Sequence, residues 1–243
     1  MVSKSKVLIV EGNIGAGKST FLHMIKNYFD VQIIYEPDKK WQNVGDGENL
    51  LDMFYKDTKR WAYTFQTYAF VTRVVEQEQY ALRYPGAVQI VERSVYADRY
   101  CFARNCYEMG TMSKLEWRLY QEWFSWLVDS YTTKPAGFIY LQVDPQVCYQ
   151  RMLKRSRSAE SAVPLEYLKM LHMRHEEWLV QKHGVSPIIK DVPVLVLNCN
   201  VDFEHQKAEQ EKHIARIAEF FGIVPLSTPY SPQDQVESHT LAL

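Results

Sequence analysis

The sequence predicts an α/β fold of three layers, built on a five-stranded parallel sheet. Two observations predict this class: short apolar runs alternate with helical patterns, and breakers rich in Pro and Gly separate them. Such alternation is typical of parallel sheets, because each parallel strand needs a crossover helix before the next. The predicted strands are Val7–Val10, Val31–Tyr35, Val88–Val91, Phe138–Val143 and Val194–Leu197. The predicted helices are Thr20–Phe29, Arg60–Tyr84, Val95–Glu108, Ser113–Ser130, Pro145–Lys154, Pro164–Gln181 and His205–Phe221.

The composition fits one folded unit followed by a short tail. The chain has 243 residues, 47% of them hydrophobic, which is enough for the core of one large domain over residues 1–223. Residues 224–243 are rich in proline and contain no Lys or Arg, so we predict a disordered tail. Lys and Arg total 28 against 29 Asp and Glu, a net charge of −1. This balance argues against binding to a nucleic-acid polymer.

The cysteines and the apolar runs predict a cytoplasmic protein without a membrane partner. The four cysteines form no C-x-x-C pair, which argues against a zinc site or a disulfide scaffold. Buried thiols in a reducing compartment are the better interpretation. The apolar run Val7–Val10 is too short for a signal-peptide core, and no other run approaches the length of a membrane span.

A Gly-rich segment matches the phosphate-binding P-loop, G-x-x-x-x-G-K-[ST]. It runs from Gly12 to Ser19, after the first predicted strand and before the first predicted helix, which is the order that this loop requires. Lys18 can reach the β- and γ-phosphates, and Ser19 can ligate the Mg²⁺ that a triphosphate brings. The fold is therefore predicted to be of the P-loop NTPase type, with ATP and Mg²⁺ bound. The predicted ATP-binding residues here are Gly12, Asn13, Gly15, Ala16, Gly17, Lys18, Ser19 and Thr20.

Acidic residues follow the second and third predicted strands. Glu36 comes directly after one strand, and Glu92 with Arg93 follows the other. Ligands of open α/β sheets bind beyond the carboxyl ends of the strands, so these side chains should face the phosphates. One carboxylate can accept a proton from an attacking hydroxyl while the other helps to hold the metal. The N-K-x-D motif of a GTPase is absent from the sequence, and the third strand ends in Glu92-Arg93 instead of the adjacent acids of an ATP-driven motor, so a phosphoryl acceptor other than water is favoured.

Three arginines cluster at the end of a predicted helix. Arg151, Arg155 and Arg157 lie where the helix passes into a polar loop. Such a cluster is often a solvated basic face. Beside a P-loop, we favour a helical lid whose guanidiniums close over the γ-phosphate and stabilise the charge that spreads during transfer.

These features together resemble the deoxyribonucleoside kinases, a family that includes deoxycytidine, deoxyguanosine, mitochondrial thymidine and broad-specificity insect kinases. The resemblance extends from about Val7 to Phe221. The matching segments are Gly12–Thr20, Glu36-Pro37, Arg60–Tyr68, Glu92–Arg99 and Pro164–Leu168. It implies a 5′-kinase that moves the γ-phosphoryl group of ATP to a deoxynucleoside in nucleotide salvage.

The resemblance also implies roles for individual residues. Glu36 would be the general base, Arg93 would orient the 5′-hydroxyl, and Glu92 would support Mg²⁺ through its waters. The sugar 3′-hydroxyl would bind Tyr55 and Glu166. Asp202 and Phe203 match an adenine-packing loop. The base would lie among the aromatic side chains, although periodicity alone would place these in an ordinary core. The substrate-binding positions implied are Ile14, Glu36, Trp41, Leu51, Phe54, Tyr55, Phe65, Gln66, Ala69, Arg73, Arg93, Asp98, Phe102 and Glu166.

Base preference can be predicted from Arg73 and Asp98. Facing a base, this pair can accept a hydrogen bond from an exocyclic amine, as on cytosine, whereas thymine presents a carbonyl and a methyl group. Family members that accept thymidine lack the pair. We therefore expect deoxycytidine, deoxyadenosine or deoxyguanosine as substrate, with thymidine disfavoured. Ala69 leaves room for a purine, whereas Asp38 and Phe54 depart from the family pattern and could reshape the pocket.

Two other functions remain open: a nucleoside monophosphate kinase, and a nucleotide-binding regulatory protein without catalysis. The resemblance further implies a homodimer that forms through helices such as the one that holds Trp117, Trp123 and Trp126. It is also compatible with feedback inhibition by a deoxynucleoside triphosphate.

Overall fold

The computed structural model describes residues 6–157, 160 and 163–227. The predicted tail, 224–243, falls outside these residues from 228 onward. Within its described part, the Leu226 amide donates a hydrogen bond to the Tyr28 carbonyl, 2.7 Å away.

A five-stranded parallel sheet forms the centre of the molecule, and its order is β2-β3-β1-β4-β5. This arrangement confirms the predicted α/β class and the five predicted strands. The strands consist mainly of buried apolar residues, and their polar residues lie chiefly at the strand ends, as expected when helices cover a parallel sheet. Their bounds are β1 Val7–Glu11, β2 Gln32–Ile34, β3 Gln89–Glu92, β4 Gly137–Gln142 and β5 Val194–Asn198.

The register of the central strands brings their carboxyl ends to one edge. Val10 of β1 pairs with Glu92 of β3, and the Arg93 amide then donates to the Val10 carbonyl at 2.9 Å. The chain leaves β1 at this edge to form the P-loop. The acidic ends of β1 and β3 therefore lie beside the phosphate-binding loop.

The long helices follow the predicted pattern, and three short ones were not predicted: α2, α3 and α10. Each is too short to show a helical period, although Asn49 caps α3 and Ser186 caps α10. The helices are α1 Lys18–Tyr28, α2 Asp38–Gln42, α3 Leu50–Lys56, α4 Thr58–Arg83, α5 Val95–Ala97, α6 Arg104–Glu108, α7 Lys114–Tyr131, α8 Pro145–Arg155, α9 Leu165–His175, α10 Pro187–Lys190 and α11 Lys207–Phe221.

Two predicted helices contain wider π-helical turns. The turn Asp98–Ala103 joins α5 to α6, and the turn Glu176–Val180 extends α9. The first of these holds both Asp98 and Phe102, two residues of the predicted substrate site. Such turns occur often at functional sites, because the inserted residue redirects the side chains that follow it.

Candidate active site

The P-loop wraps tightly between β1 and α1. Gly12, Gly15 and Gly17 all have positive φ, and a Cβ atom on Gly15 would lie 2.2 Å from the Cys148 carbonyl oxygen. Only glycine fits so close to that backbone. Lys18 is buried, and its Nζ donates to the carbonyls of Gly12 and Asn13 at 3.3 and 3.0 Å. Burial lowers the pKa of Lys18 to about 8. The loop is thus preformed with its lysine folded over it.

Neighbouring elements hold the loop in place. Asn13 donates through Nδ2 to the Leu168 carbonyl of α9 at 2.8 Å, and its Oδ1 accepts from the Ile14 amide. Phe203 packs edge-on against Phe21 and lies close to Gly17. The ring of Phe203 is only 3% exposed, so it forms a buried wall beside the loop. Asp202, the other residue of the predicted adenine-packing loop, is exposed.

The two predicted metal-binding residues lie together. The Ser19 hydroxyl donates to Glu92 Oε1 at 2.8 Å. Among the described residues, no group of three His, Cys, Asp or Glu side chains could hold a metal ion alone. Mg²⁺ is commonly bound by one or two protein oxygens together with substrate phosphates and waters. The hydroxyl and carboxylate oxygens of Ser19 and Glu92 fit such an ion.

Glu36 lies between two arginines, Arg73 and Arg93. Its Oε1 accepts from Arg73 Nη2 at 2.9 Å and from Arg93 Nε at 3.0 Å. Burial opposes ionisation, but Arg93, Arg73 and Lys18 overcome this effect and lower the pKa of Glu36 to about 2. Glu36 is therefore a carboxylate at neutral pH, with oxygen lone pairs available to a ligand hydroxyl.

Arg93 is held in an unusual backbone conformation. Its φ is +60°, in the left-handed region that non-glycine residues seldom occupy. The guanidinium lies 4.5 Å from the centre of the Phe102 ring. Its Nη1 is buried, and no partner for it exists among the described residues. A buried donor without a partner is costly, so this nitrogen is suited to an oxygen of a ligand.

A cavity opens in front of Glu36 and Arg93. Every residue predicted to bind the substrate lines it, with the exception of Glu166. Asp38, Arg157, Glu160 and Tyr167 complete the lining.

Glu166 does not reach this cavity. Its side chain is 75% exposed and accepts from Lys169 Nζ at 2.7 Å. On α9 it shares the outer face with Lys169 and Met173, three and seven residues further on. The prediction that Glu166 binds the sugar is therefore wrong, because its exposed side chain does not line the cavity. The helical period could have excluded it, since Leu168 and Leu171 define the buried face.

Glu160 occupies the place that Glu166 was expected to take. It is 8% exposed and lines the cavity with Tyr55. Burial and the nearby Glu160 carboxylate raise the pKa of the Tyr55 hydroxyl. Sequence reasoning missed Glu160, because its polar segment has no period that would indicate which side chain turns inward. It also missed Tyr167, the residue next to Glu166.

The three predicted lid arginines have different partners. Arg151 donates to the carbonyls of Cys199, Asn200 and Val201 and so holds the loop that leads to Phe203. Arg155 binds both carboxylate oxygens of Glu160, at 2.7 and 2.6 Å. The structure thus places Arg151 at a backbone loop and Arg155 beside Glu160, which lines the cavity.

Arg157 is the one of these three arginines that lines the cavity itself. Its Nη2 lies 3.2 Å from Asp38 Oδ2, and both residues line the cavity.

One end of the cavity combines aromatic rings with a buried ion pair. Phe65 stacks on Phe54 at 4.7 Å and meets Trp41 edge-on at 5.6 Å. Arg73 binds Asp98 through two hydrogen bonds, Nε to Oδ2 at 2.9 Å and Nη2 to Oδ1 at 3.2 Å. Burial raises the pKa of Asp98, and the Arg73 guanidinium opposes this shift. Flat apolar walls with a few fixed polar groups are typical of a small-molecule site.

The fold and this site define a P-loop phosphotransferase whose acceptor binds beside the phosphate loop. A sequence model of the family "Deoxynucleoside kinase" matches residues 8–222. The chain belongs to the deoxynucleoside kinase family, and it is an ATP-dependent deoxynucleoside kinase.

Curated relatives in several species cover most of the chain. Deoxycytidine kinase 2 of Gallus gallus is 40% identical in an alignment 236 positions long, which covers 87% of this chain and 88% of that protein. The mitochondrial deoxyguanosine kinase of Xenopus laevis is 40% identical in an alignment 236 positions long, which covers 88% of this chain and 89% of that protein. The mitochondrial thymidine kinase 2 of Homo sapiens is 37% identical over 218 residues, 90% of this chain and 76% of that protein. These names differ in the base, so they leave the base preference open.

Proposed function

We propose that this kinase transfers the γ-phosphoryl group of ATP to the 5′-hydroxyl of deoxycytidine, deoxyadenosine or deoxyguanosine, and that thymidine is a poor substrate. The observation that supports this preference is the Arg73–Asp98 pair at the base end of the cavity. Both side chains are 4% exposed. A base that enters the cavity must therefore satisfy them or leave them mismatched.

An exocyclic amine satisfies this pair, and thymine does not. A carboxylate accepts from an amine such as N4 of cytosine. Thymine would place a carbonyl oxygen against the Asp98 carboxylate, and its methyl group would crowd Arg73. A buried polar group without a partner costs about 1–3 kcal/mol, so one mismatch lowers the affinity roughly tenfold or more. Ala69 is small and lies in the same wall, which leaves space for a purine.

The reaction follows from the charges around Glu36. As the 5′-hydroxyl attacks the γ-phosphorus, the Glu36 carboxylate accepts the hydroxyl proton. Arg93, with its free Nη1, donates to the oxygens whose charge changes during transfer. Lys18 lies beside the β- and γ-phosphates, and the bond between the γ-phosphorus and its leaving oxygen breaks to give ADP. Ser19 and Glu92 would hold Mg²⁺, which supplies charge neutralisation on the phosphates.

At the sugar, Tyr55 and Glu160 are the proposed partners of the 3′-hydroxyl. Arg155 fixes Glu160 through both carboxylate oxygens, so the acid is oriented before a ligand enters. The Tyr55 hydroxyl lies near it in the cavity wall. An acceptor and a donor placed together can bind one hydroxyl from both sides.

A monophosphate kinase would need a further cation for the phosphate of its substrate. The cavity arginines among the described residues are Arg73, Arg93 and Arg157, and each is paired with an acid. Nucleotide binding without catalysis would not require a carboxylate held between two arginines at the acceptor side of the cavity, as Glu36 is. The paired cavity arginines and the position of Glu36 between two of them therefore favour a deoxynucleoside kinase over both alternatives.

The direct test is ATP-dependent phosphorylation of thymidine, deoxycytidine, deoxyadenosine and deoxyguanosine in parallel, with their monophosphates as controls. We expect kcat/KM for at least one amino-bearing nucleoside to exceed that for thymidine by about tenfold or more. Strong turnover of thymidine would refute the base argument and leave the kinase intact. Transfer to monophosphates alone would show that the acceptor site has another substrate.

We also propose a homodimer. The apolar side chains Leu115, Leu119, Trp123 and Trp126 recur at helical spacing on one face of α7 and are 38–67% exposed. A face of this kind is typical of a subunit interface. Sedimentation at assay concentrations tests this proposal, and a monomer would contradict it.

The compartment and a feedback inhibitor are further proposals. All four cysteines are free and buried, which fits the reducing cytoplasm. Along the described part of the chain, no helix is both long and apolar enough to cross a membrane. A deoxynucleoside triphosphate could place its sugar and base in the cavity and its phosphates at the P-loop, and competition with both substrates would test this.

A further inference from the structure

An ion pair joins two walls of the nucleoside cavity that are distant in sequence. Asp38 begins α2 on one wall, and Arg157 follows α8 on the lid side. Arg157 Nη2 lies 3.2 Å from Asp38 Oδ2. Because both residues line the cavity, the pair connects the lid to the wall beside the base.

The acidic partner lies on a fixed support. Asp38 lies in the first turn of α2, and the same Oδ2 also accepts from Gln42 Nε2 at 3.4 Å. Trp41 of this short helix is buried, and its Nε1 donates to Thr72 Oγ1 of α4 at 2.9 Å. The position of the Asp38 carboxylate is therefore set by the cavity wall.

The basic partner lies on the other wall, just beyond the end of α8. Arg157 comes two residues after the end of α8, beyond Ser156, which has a φ of +53°. Its side chain is 40% exposed. Glu160 is the second acid near it, but that distance is 3.8 Å, and Arg155 already binds Glu160 at 2.6 Å. Asp38 is thus the nearer acidic partner of Arg157.

We propose that Asp38 is a positioning residue, which draws Arg157 and the lid over the bound nucleoside and thereby sets the nucleoside affinity. This inference rests on the proposed use of the cavity for a deoxynucleoside. A nucleoside beneath the pair shields it from water, and a shielded pair attracts more strongly. Binding of the nucleoside and formation of the pair therefore favour each other. Asp38 acts through Arg157 and needs no contact with the base.

The test is a double-mutant cycle with Asp38→Asn, Arg157→Gln and both together. Calorimetry gives the dissociation constants of deoxycytidine and deoxyguanosine, and steady-state assays give KM and kcat. For Asp38→Asn we expect both dissociation constants to rise about three- to fivefold, the size expected for a half-exposed pair, while kcat changes less than twofold. In the Arg157→Gln background, Asp38→Asn should have no further effect.

Two variants complete the design. Asp38→Glu keeps the charge and should retain the affinity of the unaltered protein. Asp46→Asn removes the same charge from an exposed position of the following loop and should leave both constants unchanged. Because the pair is half-exposed, 1 M salt should also reduce the difference between the unaltered protein and Asp38→Asn.

The proposal is overturned if Asp38→Asn leaves the dissociation constants unchanged. It is equally overturned if the loss persists in full without Arg157, since Asp38 would then act on the nucleoside directly. Failure of the unaltered protein to bind or phosphorylate any deoxynucleoside would instead contradict the proposed function. The two failures are therefore distinguishable.

Discussion

Glu11 and Glu36 are two carboxylates at the same edge of the sheet, and their pKa values shift in opposite directions. Glu11, the last residue of β1, is fully buried, and its pKa is raised to about 7 by burial, which Arg93 and the Ser94 hydroxyl only partly offset. Glu36 follows β2 and is held at a pKa of about 2, because Arg93 and Arg73 overcome the effect of burial.

The direct partners of the two acids explain the difference. Glu36 Oε1 accepts from two guanidiniums. Glu11 Oε1 accepts only the neutral Ser94 hydroxyl, and for its Oε2 the described residues offer no partner. A charged partner within hydrogen-bond distance compensates for lost water, whereas a hydroxyl does so only in part. Glu36 is thus an ionised acid in the cavity wall, and Glu11 is a protonatable acid behind it.

The largest effect is expected when Glu36 loses its charge. Glu36→Gln should lower kcat by about 10²- to 10³-fold, because the 5′-hydroxyl then has no base to accept its proton. The dissociation constant of ATP should change little, since Glu36 faces the acceptor side of the cavity. Steady-state kinetics and calorimetry with a non-transferable ATP analogue measure the two quantities.

Glu48→Gln, at an exposed position on the loop between α2 and α3, is the matched control for Glu36→Gln. Full activity of Glu36→Gln would remove Glu36 as the base and leave it as a structural partner of the arginines.

The next prediction compares a second pair of acids by their direct partners. Glu160 and Glu166 lie on either side of the start of α9. Glu160 is buried and fixed by Arg155, whereas Glu166 is exposed beside Lys169. Glu160→Gln should raise KM for the deoxynucleoside about tenfold, and Glu166→Gln should leave it unchanged within twofold. An equal loss in both variants, or a loss in Glu166→Gln alone, would contradict the placement of the sugar beside Glu160.

These examples show which parts of the site a sequence can predict. The P-loop and the acids at the carboxyl ends of β2 and β3 were predictable, because local spacing and the shared edge of a parallel sheet determine their positions. The sequence could not show which side chain of the polar segment after α8 faces the cavity, because no apolar period there indicates the direction of Glu160. Pairing of Asp38 with Arg157 was equally inaccessible, because it depends on how an irregular segment folds back over the cavity. Glu166 was misplaced by a motif, although the period of α9 could have excluded it.

The smallest expected effect concerns stability, and it separates Glu11 from Glu36 by sign and by pH window. The pKa of Glu11 is raised in the folded state, so the folded protein binds a proton more tightly than the unfolded chain does. Its contribution to stability therefore falls as pH rises from about 4.5 to about 7. A glutamine side chain at this position cannot ionise and does not lose stability in this range. The melting temperature of Glu11→Gln minus that of the unaltered protein should therefore increase by at least about 4 °C from pH 5 to pH 8.

Glu36→Gln supplies the opposite case in the same melting experiment. Because the pKa of Glu36 is lowered to about 2, its stabilising contribution is present above about pH 4.5 and is lost only as pH falls toward 2. The difference in melting temperature between Glu36→Gln and the unaltered protein should therefore change much less from pH 5 to pH 8 than the difference for Glu11→Gln does. Titrating groups that do not share Arg93 with Glu36 and Glu11 are unchanged in the variants, so their effects largely cancel in each difference. If the difference in melting temperature for Glu11→Gln were also independent of pH, Arg93 would be keeping Glu11 ionised in the folded protein, and the pKa of Glu11 would not be raised.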